Sequence, residues 1–192
     1  ERSNATGIYL SYSTATESFS PDFVPSQWVL DLYEDGDIRK DVFYRKDKIT
    51  CLEVVTEDVY MLNKYPGNPA LKKSTYEYYH MAKVFRSAEA YLIAAEAAVK
   101  TGGDAATYIN DLRQKRIEGY TDVSSVTLEE ILFERRIELF AENSMAFDYW
   151  RNKMSVKNPY VGEVKYNDYR TILPIPLDEL NLGDALVQNP GY

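Results

Sequence analysis

Side chains that commonly perform catalysis are sparse in this chain. Its 192 residues include one histidine and one cysteine. His80 lies in the string Tyr78-Tyr79-His80-Met81, without the second histidine or the cysteine cluster that a metal site needs. The nine glycines are scattered and form no G-x-x-x-x-G-K-[ST] or G-x-G-x-x-G string, which excludes the common nucleotide-binding loops. We predict a structural or surface role for His80, and no cofactor.

Acidic residues are the remaining candidates for acid and base chemistry. Glu134, Glu138 and Glu142 follow one another at intervals of four residues, so a helix would place them on one face. Arg135 precedes Glu138 by three residues, a spacing at which an ion pair can form within a helix. Asp148 permits the same two interpretations. We favour structural ion pairs over catalysis at both places, and we predict no catalytic residue.

A second acidic cluster offers oxygen ligands of the kind that calcium prefers. It consists of Glu34-Asp35-Gly36-Asp37 followed by Asp41. Its spacing differs from the calcium loop D-x-[DN]-x-[DN]-G. A helix end with solvated acids is the preferred interpretation, and the sequence leaves calcium open. No metal ligand is predicted.

Tyrosine is unusually frequent, with 17 residues, and aromatic residues make up 14% of the chain. Aromatic rings can stack on the C-H faces of sugar rings while nearby polar groups bind the hydroxyls. Most of the tyrosines must still belong to the core. Three aromatic residues lie in an irregular segment rich in Ser and Thr, and we predict them as ligand contacts with core packing as the alternative: Tyr9, Tyr12 and Phe19.

Charge and hydropathy exclude two classes of partner. Thirty acidic and 22 basic side chains give a formal charge of -8, which repels nucleic acid. The longest nearly apolar stretch, Ala90 to Val99, is interrupted by Glu96 and is far shorter than the roughly 20 residues that cross a bilayer. Cys51, as the only cysteine, forms neither an internal disulfide nor a zinc site. We therefore predict no transmembrane helix and no nucleic-acid binding.

The first part of the chain, residues 1–80, is predicted to be rich in loops with one short helix. Residues 1–24 have no helical period, and a short amphipathic helix follows Pro25. Residues 41–80 have β-branched runs and dense turn residues, which predict short strands and loops.

The second part, residues 81–192, is predicted to be a helical scaffold with an extended tail. Apolar residues from Phe85 to Val99 recur every three or four positions, and Gly102-Gly103-Asp104 separates this helix from another at about 105–116. The tight turn predicts an antiparallel hairpin of the tetratricopeptide type. Thr127-Leu128-Glu129-Glu130 fits a capping box and starts a helix to about Asn143. The predicted class is all-α, mainly helical, with long loops and a few short strands.

Three strings in this half of the chain occur in a specific order and spacing. They are Phe85-Arg86-Ser87-Ala88-Glu89-Ala90-Tyr91-Leu92-Ile93-Ala94-Ala95-Glu96-Ala97, then Glu134-Arg135-Arg136-Ile137-Glu138-Leu139 continuing to Phe147-Asp148-Tyr149-Trp150-Arg151, and finally Leu173-Pro174-Ile175-Pro176 followed by Gln188-Asn189-Pro190-Gly191-Tyr192. Together they resemble the C-terminal part of the SusD/RagB family, and the similarity extends over most of the chain.

The resemblance implies a largely helical lipoprotein on the surface of the outer membrane of Gram-negative bacteria. Such a protein captures nutrients, most often glycans, and delivers them to a SusC-like TonB-dependent transporter without catalysis. Family members are longer, and their lipid-bearing cysteine and N-terminal tetratricopeptide helices have no counterpart in these residues. We therefore expect contact with the membrane only through a lipid anchor on that N-terminal part. Family ligand contacts lie in variable loops, so the resemblance transfers no site residue.

Three hypotheses about function follow from the sequence. The leading one is a protein that binds an oligosaccharide or another nutrient without turnover. The second is a tetratricopeptide-like module that contacts only other proteins, through residues 85–116. The third is a glycosidase that uses two of the 30 acids, although nothing in the sequence locates such a pair.

Overall fold

A computed structural model describes residues 11–21, 23–65, 84–142, 145–158, 160–183 and 185–192 of the chain. The chain forms two compact units, which divide after residue 142. Within the described residues, no helix is long and apolar enough to span a bilayer. The first unit contains β1 (Ser11–Ser13), β2 (Ser18–Ser20), α1 (Gln27–Leu30), α2 (Arg39–Phe43), β3 (Tyr44–Cys51), β4 (Val54–Leu62), α3 (Ser87–Thr101), α4 (Ala106–Arg113) and α5 (Leu128–Glu138). The second contains α6 (Met145–Arg151), β5 (Val156–Asn158), β6 (Gly162–Val164), a 3-10 turn (Tyr169–Thr171) and α7 (Leu177–Leu182).

The first unit contains a four-stranded sheet, and therefore the prediction of a strictly all-α class is not confirmed. The strands lie in the order β1-β2-β3-β4, and only β2 and β3 run parallel. The sheet is dominated by the hairpin of β3 and β4, whose strands have eight and nine residues. Its turn, Leu52-Glu53, interrupts the β-branched run that predicted a strand. Both turn residues have positive φ, at 48° and 66°, a conformation that suits two-residue hairpins but normally favours Asn and Gly.

Helices α3 and α4 form the hairpin that the sequence predicts. Gly102 ends α3 in the left-handed conformation, with a φ of 75°, and the backbone N–H of Gly103 donates to the carbonyl of Ala98. Helix α5 packs on α3 and completes a three-helix layer. The buried core of this layer contains Ala88, Leu92, Ala95, Ala105, Ile109, Leu112, Ile131 and Leu139. The small alanines let the helices approach closely.

Helix α5 begins as the sequence predicts but ends earlier. The Thr127 hydroxyl accepts from the Glu130 backbone N–H at 3.2 Å, and the Glu130 carboxylate accepts from the Thr127 N–H at 2.7 Å. This capping box is confirmed. The helix ends at Glu138, so the predicted continuation to about Asn143 is wrong. Near this end the Lys64 ammonium donates to the carbonyls of Glu138 and Phe140, at 2.7 and 3.0 Å, in place of the backbone N–H groups of a further turn.

The second unit is held together by side chains of the tail. The Gln188 amide donates to the Ile175 carbonyl and accepts from the Ile175 N–H, both at 2.9 Å. Asn189 donates to the carbonyl of Leu173, and the Tyr192 hydroxyl donates to that of Ile172. These bonds join two strings that are distant in sequence. The Leu173–Pro176 segment forms no helix, in line with its two prolines, and Pro176 has an extended ψ of 140°.

Candidate functional site

A surface pocket of about 380 Å³ lies where the start of α3 meets the end of α4. Antiparallel packing of the two helices brings these ends together. Helix α3 contributes Ser87, Ala88 and Tyr91 to the lining. Helix α4 and the turn after it contribute the other lining residues: Asp111, Leu112, Gln114, Lys115 and Arg116.

The pocket has an apolar base and a polar rim. Ala88 and Leu112 are buried members of the helical core. Tyr91 lies about one turn after Ser87 on α3, and it is 40% exposed, so part of its ring is accessible. Asp111 and Gln114 are exposed on α4 and the turn that follows it. Such a combination of one aromatic ring with several hydrogen-bonding groups is typical of small-molecule sites.

Both sides of the pocket are anchored to one buried carboxylate. Glu138 on α5 is fully buried and pairs with Arg86, the residue before α3, at 2.5 Å. It also accepts from the Nε and Nη2 atoms of Arg116, each at 3.0 Å. Arg86 adjoins Ser87, and Arg116 lines the pocket itself. Glu138 therefore sets the spacing between the two helix ends.

Glu138 belongs to a larger buried ion network. Arg39, which is also buried, pairs with Glu134 at 2.6 Å, with Glu138 at 3.1 Å and with Asp37 at 2.7 Å. Arg113 on α4 binds the second oxygen of Glu134 at 2.7 Å. We call the following residues the ion network: Asp37, Arg39, Lys64, Arg86, Arg113, Arg116, Glu134, Glu138 and Glu142.

Lys64 connects the end of β4 to the end of α5. Its side chain is 1% exposed, pairs with Glu142, and lies 4.3 Å from the centre of the Phe43 ring. Glu142 also accepts from the Nε of Arg86 at 3.0 Å. The ammonium is thus surrounded by a carboxylate, two backbone carbonyls and an aromatic face.

Basic residues of the network keep Glu138 and Glu142 ionised. Burial alone would raise the pKa of Glu138, but hydrogen bonds and charge from Arg116 and Arg86 lower it from 4.5 to about 2. Burial would likewise raise the pKa of Glu142, but Arg86 and Lys64 lower it below its usual range. Burial lowers the pKa of Lys64 from 10.5 to about 8, against the opposing effect of Glu142. Carboxylates held in this way are poor proton donors at neutral pH, which supports the structural interpretation of Glu138 and Glu142. For Glu134, the same interpretation rests on its ion pairs with Arg39 and Arg113.

Asp37, which belongs to the acidic cluster considered above as a calcium site, forms an ion pair with Arg39. Both carboxylate oxygens of Asp37 accept from the Arg39 guanidinium. Gly36, with a φ of 83°, ends the turn before it. Across the described part of the chain, no three His, Cys, Asp or Glu side chains are grouped in a way that would hold a metal ion.

The three aromatic residues predicted as ligand contacts do not form one site in the described residues. Tyr9 lies outside them. Tyr12 is in β1, where its backbone is opposite Phe19 of β2. Phe19 is 6% exposed, packs with Ile49 and Met61, and has the Arg45 guanidinium 4.9 Å from its ring centre. The burial of Phe19 favours the core-packing alternative for this residue.

No sequence motif marks the pocket, because each of its lining residues is of a type common on surface helices. Tyr91 continues the apolar pattern of α3, and Asp111 and Lys115 resemble the solvated face of a surface helix. The available signal was that Tyr91 and Ser87 are four residues apart, so α3 places both on one face, and both are exposed. Only the packing of α4 against α3 turns these positions into a concavity.

The comparison with known families decides the classification. A profile of the SusD family matches residues 42–192. The chain belongs to the SusD family. The strings quoted above from α3, α5 and the tail lie within the matched region, and the structure explains them as scaffold: helix packing, ion pairs and tail hydrogen bonds.

Individual SusD relatives are similar over part of their length. The chain is 36% identical over 121 residues to the starch-binding protein SusD of Bacteroides thetaiotaomicron, an alignment that covers 57% of this chain and 21% of that protein. A SusD superfamily protein of Bacteroides vulgatus is 33% identical with a TM-score of 0.61, covering 83% of this chain and 36% of the other. A SusD-like carbohydrate binding protein of the same species is 28% identical with a TM-score of 0.52, covering 72% and 29%. The chain thus spans about a fifth of the curated relative.

Proposed function

We propose that this chain is part of a carbohydrate-binding protein that captures its ligand without breaking bonds. One observation carries the proposal: within the SusD family, the chain shares 36% identity with a relative named for starch binding. The pocket supports it, because Tyr91 offers a ring for stacking and its neighbours offer groups that bind hydroxyls. The ionised, fully paired state of Glu138 supports a role in architecture and not in catalysis.

The proposal extends to the place and the partner of the whole protein. It would be a lipoprotein on the surface of the bacterial outer membrane, attached through a lipid on an N-terminal part. It would pass its ligand to a SusC-like TonB-dependent transporter. Family membership supports both statements. The net charge of -8 supports the expectation that nucleic acid is not a partner.

Calorimetric titration with a panel of oligosaccharides tests the binding proposal. We expect saturable, reversible binding of at least one member of the panel, with the ligand recovered intact. Hydrolysis of the bound glycan, detected by chromatography of the reaction mixture, would contradict the non-catalytic role. Tyr12→Ala, assayed in parallel, tests whether β1 supplies a contact, since Tyr9 and Tyr12 remain predictions.

Protein binding by the helical hairpin is a second candidate, and one observation favours it. The face of α3 that carries Ile93 is exposed, together with Ala90 and Ala97. Apolar exposed helix faces of this kind commonly contact other proteins. Co-purification with a membrane transporter, combined with no binding to any oligosaccharide in the panel, would favour this candidate over the first.

A further inference from the structure

We propose that the pocket between α3 and α4 binds one ring of an uncharged oligosaccharide, with the ring stacked on Tyr91. This inference rests on the proposed carbohydrate-binding function and assigns that function to a place and a ligand class. It is carried by three features of the pocket: the groups along its rim, the balance of charge around it, and the rigidity of its sides.

The rim supplies both kinds of hydrogen-bonding group that sugar hydroxyls need. A hydroxyl donates one hydrogen bond and accepts others, so it is best bound where donors and acceptors alternate. Asp111 supplies an acceptor, Lys115 supplies donors, and the Ser87 hydroxyl supplies both. The Gln114 amide already donates one hydrogen bond to Asp122 at 2.7 Å, and its oxygen supplies a further acceptor. Tyr91 adds an exposed ring within the same lining. Its apolar face matches the C-H face of a sugar ring.

The pocket lining carries charges of both signs. The antiparallel hairpin places the positive N-terminal end of α3 beside the negative C-terminal end of α4. In the lining, Asp111 and Lys115 carry opposite charges, and the guanidinium of Arg116 pairs with Glu138 at 3.0 Å. An acidic sugar would have to displace Glu138 to pair with Arg116, and it would also meet the chain's net charge of -8. The pocket therefore suits an uncharged sugar.

The sides of the pocket are fixed before any ligand arrives. Glu138 joins Arg86 at the start of α3 to Arg116 at the end of α4. Ala88 and Leu112 pack in the core behind the lining. A site whose walls are already ordered loses little conformational entropy on binding. The pocket can thus bind a single sugar ring without rearrangement.

Two exposed tyrosines provide a matched experiment. Tyr91 lines the pocket and is 40% exposed, whereas Tyr108 on α4 is 37% exposed and is outside the lining. The full chain and its variants Tyr91→Ala, Tyr91→Phe and Tyr108→Ala are titrated with maltohexaose, cellohexaose, xylohexaose and hexagalacturonate. Circular dichroism and thermal unfolding establish that each variant is folded like the wild type.

We expect the wild type to bind one or more of the three uncharged ligands and to bind hexagalacturonate at least about tenfold more weakly. Tyr91→Ala should weaken binding of the uncharged ligand by about fivefold to tenfold, the amount that loss of a stacked ring predicts. Tyr91→Phe keeps the ring and should stay within about twofold of the wild type, as should Tyr108→Ala. Affinity for the uncharged ligand should not change with salt.

The possible results separate the two proposals. Binding of an uncharged ligand that Tyr91→Ala leaves unaltered would overturn the pocket while the carbohydrate-binding function stands. Tighter binding of hexagalacturonate than of the uncharged ligands would overturn the ligand class. Absence of binding to all four ligands would overturn the proposed function itself, and the pocket assignment with it.

Discussion

Replacing Glu138 with glutamine removes the charge that the ion network is built around. Gln has nearly the same shape, so the change leaves the packing of α5 in place. It leaves Arg39, Arg86 and Arg116 facing a neutral amide in a buried environment. Buried charges that lose their partner are strongly destabilising. We therefore expect Glu138→Gln to lower the free energy of unfolding.

The size of the effect follows from the pKa of Glu138. The folded chain lowers this pKa from 4.5 to about 2, and that difference corresponds to about 3 kcal/mol in favour of the ionised, folded state. Breaking a buried ion pair typically costs about 3–5 kcal/mol. The two figures agree, so Glu138→Gln should reduce the free energy of unfolding at pH 7 by about 3 kcal/mol.

The same pKa sets how the effect depends on pH. Because the pKa of Glu138 is lower in the folded chain than in the unfolded chain, ionisation of Glu138 stabilises folding fully above pH 4.5. This stabilisation is lost as the pH falls from 4.5 towards about 2, where the folded chain also becomes protonated. The difference between wild type and Glu138→Gln should therefore shrink over that range.

Urea unfolding followed by circular dichroism, at neutral pH and at several pH values below 4.5, measures both quantities. Glu129→Gln is the matched control, because Glu129 is an exposed residue of the same helix. It should change stability by less than about 0.5 kcal/mol. Equal stability of the two variants, or a difference that does not shrink in acid, would refute the reasoning.

Three further predictions concern other parts of the fold. The pKa of Lys64 is lower in the folded chain, about 8, than in the unfolded chain, 10.5, so burial of the charged ammonium costs free energy below pH 8. This cost disappears as the pH rises to 10.5, and the free energy of unfolding of the wild type should therefore rise over that range. Lys64→Met should abolish this rise, which urea unfolding measures. Gly191→Ala should destabilise the second unit by about 1–3 kcal/mol in urea unfolding, because a Cβ there would lie 2.5 Å from the Tyr169 ring. Gly119→Ala is the control: this glycine also has a positive φ, but a Cβ would meet no atom within 4 Å, so the substitution should cost less. Thr127→Ala should lower the stability by about 1 kcal/mol in thermal unfolding, since it removes the acceptor of the capping box; an unchanged melting temperature would contradict the role of the cap.

Local sequence patterns were sufficient for the helical scaffold. The capping box at Thr127, the glycine that ends α3 and the apolar period of α3 each depend on neighbours within about one helical turn. The spacing of Glu134 and Glu138 also placed them on one face of α5, where the structure has them. Such features are predictable because helix hydrogen bonds and caps link residues that are close in sequence.

The sheet and the tail show where local patterns stop being informative. The β-branched run around Cys51 is a strand by propensity, yet it contains the turn Leu52-Glu53, because pairing of β3 with β4 determines where the chain reverses. The amide of Gln188 bonds to the backbone of Ile175, 13 residues away, and neither local sequence predicts that hydrogen bond.

The amino-acid sequence was enough to predict α3, α4, the capped start of α5, the acidic balance of the chain and the resemblance to a family. Which charges meet depends on tertiary packing: Arg39 pairs with Glu134, 95 residues away, and Lys64 bonds to the end of α5, 74 residues away. The pocket at Tyr91 likewise exists only because α4 returns along α3. The physical reason is range: a helix is stabilised by contacts a few residues apart, whereas buried ion pairs and concave surfaces require elements that folding alone brings together.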